Sequence, residues 1–443
     1  MKNIAVIGSG ISGNSAAWAL SKEHNVTLFE KDERTGGHSN TAIIDYDGKQ
    51  IEVDTGFIVY NDHNYPLLTQ LFDHLNVETS KSDMSFGVSL DKGKFEWSGQ
   101  GLGAVFAQRR NLFSPGFLFM LREIFLFNRI CKEDLKTGAL CGSSFGEYLI
   151  NRKFSQRLRD DYLVPMTAAI WSTPPSRMLE FPAESLVRFM DNHRLIHGVN
   201  ERPQWRTVKG GSRQYVDKLL AEFDGKIELG STVTKIEKMA DGVHLSLENG
   251  ETRVFDEVVI GAHSDQAMRL LGKPTAAQKT ILGSIGYKPN KVYLHRDEKL
   301  MPKRKAAWSS WNYLGSRNND GHRDLSLTYW MNRLQNIDER YPLFVSLNPD
   351  VAPDKHQTFH TYSYDHPQFD KAAIEAQVRL DEIQGVDNIW YCGAWTKYGF
   401  HEDGLSSAMS VVRRLGVKVP FEQDQTNELP EASELPLPLQ AAE

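Results

Sequence analysis

The chain of 443 residues sets 51 lysines and arginines against 57 aspartates and glutamates, a net charge of −6 that gives a nucleic-acid role no electrostatic support. Its 40% hydrophobic and 24% charged residues are the balance of a water-soluble protein with room for two or three domains. Cys131, Cys141 and Cys392 are odd in number and lack CxxC spacing, which argues against a disulfide framework and a structural zinc site, so no metal and a cytoplasmic location are expected.

The chain opens on an apolar strand pattern, "NIAVIG" (Asn3 to Gly8), with no leader-like sequence before it, so export by a leader is not expected. A helix follows at Ser12 to Glu23 and a second strand, "NVTLFE", at Asn25 to Glu30, making a βαβ opening. Between the first strand and the helix, "GSGISG" sets Gly8, Gly10 and Gly13 at GxGxxG spacing. Glycine there permits a tight turn and close backbone approach to a pyrophosphate, while the helix start faces the phosphate charge. Gly8, Ser9, Gly10, Ile11, Ser12 and Gly13 are therefore the expected cradle, and Glu30 is placed to accept hydrogen bonds from a ribose. NAD and FAD both meet this description.

Ala104 to Arg188 reads as helical, aromatic and basic. Segments from Ser231, Gly242 and Phe255 read as a meander around an Asn249-Gly250 turn. Lys288 to Phe369 mixes strands with many Trp and Tyr. Late in the chain, "YCGAWTKYGFHEDGLSSA" (Tyr391 to Ala408) leads into Leu405, Ala408, Met409, Val412 and Leu415 at helical spacing. Its glycines and acids thus sit at a helix start, whose free N–H groups suit an anion or an electron-rich carbonyl. The expected division is 1–75, 205–287 and 385–418 on the cofactor side, 76–204 (helical) and 288–384 on the substrate side, and a flexible tail at 419–443. The fold class is α/β: a doubly wound, Rossmann-type domain with an interleaved α+β substrate domain.

"EKDERTGGHSNT" (Glu30 to Thr41) separates the two dinucleotides, because an NAD domain has no need of an Arg34, Gly36, Gly37 cluster just after the ribose acid. With GxGxxG and the strand-end Glu30, it resembles the flavin-containing amine oxidase and phytoene desaturase superfamily. The resemblance implies bound FAD, touched by Lys31, Arg34, Gly36, Gly37 and His38, the last standing where the family usually has Arg. "VDTGFIVYN" resembles the segment that approaches the flavin ring, giving Gly56, Phe57 and Ile58 that role, with Tyr60 on the substrate side. "WRTVKGGSRQYVDKLL" resembles the family's GG segment, and Val233 falls beside the adenine portion. At the late helix, Gly393, Ala394, Asp403, Gly404, Leu405 and Ala408 inherit the contact with the flavin ring and ribityl chain, Ala394 replacing the usual acid. "GFHEDG", "VDTGFIVYNDHNYP", "SDMSFGVS" and "SSWNY" resemble a bacterial subgroup related to the flavoprotein region of plant cyclopropane fatty acid synthases. That implies an acyl-lipid context and a functional link to a cyclopropane-synthase-like methyltransferase.

For chemistry beside the flavin, His401 is the first candidate to move a proton, since imidazole titrates near neutrality; it equally suits a histidine that only bonds loop backbone. Glu402 is a second proton carrier, although carboxylates at a helix start usually cap it. Lys291 falls where many amine oxidases hold a lysine near flavin N5, and also reads as a solvated surface lysine. Trp395, Tyr398 and Phe400, with Trp330 and Tyr362, either wall the substrate cavity or fill a core. Covalent attachment through Cys392 is not expected. "AQRRNLFSPGFLFMLREIFLFNRI" (Ala107 to Ile130) carries Arg109, Arg110, Arg122 and Arg129 among Phe and Leu around a Pro115-Gly116 break. Such a helix pair can rest on the inner face of an anionic membrane, or pack in a core with its arginines snorkelling outward, the ordinary arrangement. The expected substrate is a small molecule or lipid, with fatty acyl chains leading and an amine second; a non-catalytic flavin-holding accessory to a lipid methyltransferase is the third reading.

Overall fold

The computed structural model describes residues 1–171, 175–198, 201–316 and 326–422, so the expected tail lies outside the described residues from 423 onward. Its centre is a five-stranded parallel sheet in the order Lys226–Glu228, Asn25–Phe29, Asn3–Ile7, Glu257–Ile260, Ile389–Tyr391. The inner strands are apolar without alternation because both faces are covered. Helices Ile11–Leu20, Arg213–Ala221 and His401–Arg414 cover one face. The meander Val233–Met239, Gly242–Leu247, Thr252–Phe255 covers the other, with helices Ser264–Leu270 and Ala276–Gly283. Helix Ile11–Leu20 is buried at every position, since two helices and the sheet surround it. It ends at Leu20, and Ser21 to Glu23, expected as helix, form a turn instead.

The segments expected on the substrate side are built on a seven-stranded sheet in the order Thr358–Gln368, Gly286–His295, Phe344–Leu347, Ser326–Trp330, Trp311–Gly315, Phe86–Leu90, Phe95–Ser98. All its pairings are antiparallel except Phe86–Leu90 with Trp311–Gly315. Residues 76–204 are therefore not helical throughout: they open with the strand Thr79–Lys81 and this hairpin. "FGVSL" hides its strand because four successive residues are buried, which leaves no alternating pattern to read. Helices follow, among them Pro115–Thr137, Phe145–Asn151, Val164–Trp171 and Ala183–Asn192. Pro115-Gly116 starts one helix of 23 residues rather than dividing a pair: Ser114 caps Phe117 N–H, and Pro115 occupies the first turn, where its missing N–H costs nothing.

Asp54 ties the two sides together. Its buried carboxylate accepts from Thr41 Oγ1 (2.6 Å), Ser212 N (2.8 Å), Ser212 Oγ (2.8 Å) and Gln335 Nε2 (2.9 Å). Among the described residues, no helix is long and apolar enough to cross a membrane.

Candidate cofactor and active site

Gly8, Gly261 and Gly393 each follow a neighbouring parallel strand at or just past its carboxyl end, where open α/β sheets place their ligands. Gly8 has φ +92°, and a Cβ on Gly13 would lie 1.8 Å from Gly8 O, so both glycines are required by the turn itself. Gly10 differs: a Cβ there would meet nothing within 4 Å, which leaves the outer side of the loop open. Glu30 closes the loop from the second strand, accepting from Ser9 N (2.8 Å), Ser9 Oγ (2.6 Å) and Asp32 N (3.0 Å). Ser231 N donates to Glu30 O, which brings the strand beginning at Val233 alongside it. Lys31 is exposed beside Asp32 and lies on the outside of this corner.

The glycine pair folds back on the cradle. Gly36 N donates to Ser9 O (2.8 Å), and a Gly37 Cβ would sit 3.0 Å from Gly10 Cα. Arg34 spends its guanidinium on Gly37 O (2.9 Å) and Thr35 O (3.3 Å), fixing this loop. Gly56 is pressed on His38 O, which also accepts from Phe57 N (2.8 Å); Ile58 turns into the substrate-side core. From the far end of the chain, Gly404 fits against Ile11 and Ser12, where a Cβ would come within 2.8 Å of both side chains. Leu405 and Ala408 are fully buried behind it, and Gly393 N donates to Ser407 Oγ, with Ala394 opening the next turn. Two helix N-termini thus abut at one place. Asp403 accepts from Phe400 N (3.0 Å) and Tyr398 N (3.2 Å), so it closes its own loop, and burial pushes its carboxyl up to about 6.

These residues fit a dinucleotide. Amide-bearing helix starts and the open flank of Gly10 form a positively polarised cradle. Asn14 Nδ2 and Oδ1 and Ser15 Oγ, buried in the first helical turn, find no partner among the described residues.

His401 opens the late helix with its ring stacked on Phe57 (centroids 3.8 Å) and its Nε2 2.8 Å from Tyr215 OH and 3.0 Å from Ser39 Oγ. Burial pulls its pKa down to about 3, so the ring is neutral at pH 7 and exchanges hydrogen bonds rather than carrying charge. Glu402 points elsewhere: it accepts from Leu67 N (2.9 Å) and Leu68 N (3.0 Å), capping helix Pro66–His74. Lys291 is not brought to this group; it is exposed, its ammonium over the Tyr293 ring. Tyr60 is likewise elsewhere, packed on Phe72 and Tyr65. Trp395 is buried, donating to Ala262 O, and Trp330 packs on Trp308. Tyr398 and Phe400 do face the helical segment: both rings pack on Phe189, which meets Trp171 at 4.5 Å.

Several members of the site carry no local signal. Tyr364 OH binds Asn40 and Thr55 (both 2.8 Å), its ring lies 4.9 Å from His38, and His38 is 5.9 Å from His366 and 6.4 Å from His263. Burial holds His38, His263 and His366 below the usual imidazole range, His366 at about 4. His38 belongs to the glycine-pair motif, but His263 and His366 are lone rings at a turn and a strand end in sequence; only the strand order assembles them. Tyr215 lay within the GG segment, without a signal that its hydroxyl would reach His401.

Among solved structures, a fatty acid isomerase from P. acnes that produces CLA superposes with a TM-score of 0.64 at 13% identity, covering 94% of this chain and 99% of that one. Cyclohexylamine oxidase from Brevibacterium oxydans superposes with the same score at 15% identity and the same coverage. At such identities the likeness shows the fold. In sequence, AofH of Mycobacterium tuberculosis, provisionally named a flavin-containing monoamine oxidase, is 22% identical over 261 residues, 56% of this chain and 54% of that protein. The chain thus spans about half the length of the curated relatives it matches. The family model of flavin containing amine oxidoreductases, however, matches residues 11–416, from one abutting helix through the other, so the chain belongs to that family and its cofactor is FAD.

Proposed function

We propose that the chain is an FAD-dependent oxidoreductase that dehydrogenates or isomerises an apolar substrate, with fatty acyl chains of lipids the leading class. The observation that carries this reading is the aromatic wall of Trp171, Phe189, Tyr398 and Phe400, against which the neutral imidazole of His193 is stacked, 3.9 Å from Phe189. The two acids at the same helix start are turned to backbone amides, so neither carboxylate is aimed at an ammonium group. Bound FAD supplies the hydride acceptor and donor. The chain's part is to hold it between the cradle and the late helix, to exclude water with the aromatic wall, and to keep a neutral hydrogen-bond network at His401 Nε2 with Tyr215 and Ser39. The functional link to a cyclopropane-synthase-like methyltransferase belongs to the same reading.

Amine oxidation is the second reading, favoured by the near-parallel rings of Tyr362 and Tyr364 (5.8 Å, 10°) beside His38. The purified yellow protein, mixed without oxygen with lipid extract or with a panel of amines, separates the two by bleaching of the visible flavin band. Mass spectrometry of the lipids detects an isomerase, which leaves the band unchanged. Bleaching by amines alone supports the second reading, and neither bleaching nor product supports a flavin-holding accessory.

A further inference from the structure

We propose that the face formed by the Arg109–Phe113 turn and the outer stripe of helix Pro115–Thr137 docks on an anionic lipid bilayer. Large apolar side chains normally retreat from water, yet here Phe113 is 86% exposed, Phe125 76% and Leu102 79%, with Leu112, Leu118 and Phe119 also exposed. A concentration of this kind within one short stretch marks an interaction surface.

The helix has two distinct faces. Phe117, Met120, Glu123, Phe127 and Cys131 point inward and are buried. Leu118, Arg122, Phe125 and Arg129 recur every three or four residues on the outside and are exposed. The core therefore already has its share of this helix, and the outer rings remain in water. Charge selects the occupant. Arg109, Arg110, Arg122 and Arg129 are exposed among these rings and none is ion-paired among the described residues; of the helix's three acids Glu123 is buried against Ser155 N and Oγ and Asp134 is buried, while Glu133 is exposed one turn beyond Arg129, next to the exposed Lys136. An apolar face rimmed by an excess of cations, Glu133 the one exposed acid of the helix among them, matches a hydrocarbon boundary topped by anionic headgroups, the aromatic rings entering and the guanidinium groups staying at headgroup level. As no described helix can cross a membrane, the contact lies along the surface. This inference holds whatever the enzyme acts on.

The test uses the full holoprotein in flotation with vesicles of saturated phosphatidylcholine, alone or with about 30% phosphatidylglycerol to bring the surface potential into play. Saturated chains offer no double bond, so a failure to bind leaves the substrate reading untouched. The expected result is salt-sensitive recovery with the anionic vesicles only. Each arginine contributes about fivefold to partitioning, so Arg109→Glu with Arg110→Glu lowers it by about 25-fold or more. Phe113→Ser with Phe125→Ser lowers it by about tenfold or more. The flavin band and urea midpoint of both variants report that the fold is kept. Equal recovery of all three proteins, or no preference for anionic vesicles, overturns the proposal. So does self-association of the wild-type protein that the Phe variant abolishes without any vesicle binding, which would assign the face to a second copy.

Discussion

A methyl group added at Gly10 and one added at Gly13 have opposite consequences within one loop. At Gly13 it would stand 1.8 Å from Gly8 O, so Gly13→Ala displaces the turn from the sheet and should cost about 3 kcal/mol or more, read as a lower urea midpoint. At Gly10, with φ −69° and open space outside, Ala is conformationally allowed. Gly10→Ala should therefore leave the apoprotein midpoint within about 1 kcal/mol of wild type while weakening FAD by about tenfold or more in equilibrium dialysis. Parallel losses in both variants would remove Gly10 from the cofactor cradle. His401 makes a prediction in pH. Its folded pKa, about 3, lies below the ordinary 6.5, so the unfolded chain binds the proton first as pH falls. The stability it contributes is fully present above about 6.5 and declines towards pH 3. His401→Gln should narrow the gap in urea midpoint between pH 7 and pH 5; an unchanged gap would show that the ring titrates normally. The cradle was legible because turn, helix start and ribose acid are neighbours in sequence. His263, His366 and Tyr215 were not, because what they touch depends on strand order and on a distant helix.

Glu402 shows how one helix disciplines another. It is anchored at the start of His401–Arg414 but spends its oxygens on the first turn of Pro66–His74, which has no cap of its own. Glu402→Ala should destabilise the protein by about 1–2 kcal/mol through two orphaned N–H groups. Burial raises the Glu402 pKa to about 7 from 4.5, so the folded state binds the proton more tightly and stability falls as pH rises through that window. Glu402→Gln should lack this fall in chemical denaturation between pH 4.5 and 7. The carboxylate's capping habit was readable from its position at a helix start; its target was not, because the two helices are far apart in sequence. Lys291 illustrates the converse limit: in a ten-residue strand, one step of register decides between cavity and solvent, and the solvent face received it.

The whole molecule is held by splices rather than by consecutive domains. Asp54 joins the hairpin Thr41–Tyr46 and Lys49–Asp54 to Ser212 on the cofactor side and Gln335 on the substrate side. Asp54→Ala strands several buried donors at once and should cost about 3 kcal/mol or more in urea unfolding, with Asp54→Asn in between; a wild-type midpoint in both would show that the two sides do not depend on this clasp. The chain's passage back and forth between the five-stranded and seven-stranded sheets accompanies an alternation of glycine-rich turns and ring-rich strands along the sequence. The seven-stranded order was not legible there, since its parallel pairing of residues 86–90 with 311–315 spans about half of the sequence. The contact of Gly404 with Ile11 and Ser12 carries a consequence for biosynthesis. A ribosome emits the phosphate loop long before its opposing helix, so the yellow nucleotide has no complete seat until the segment around Gly404 has emerged. Any product of premature termination before Gly404 would emerge colourless.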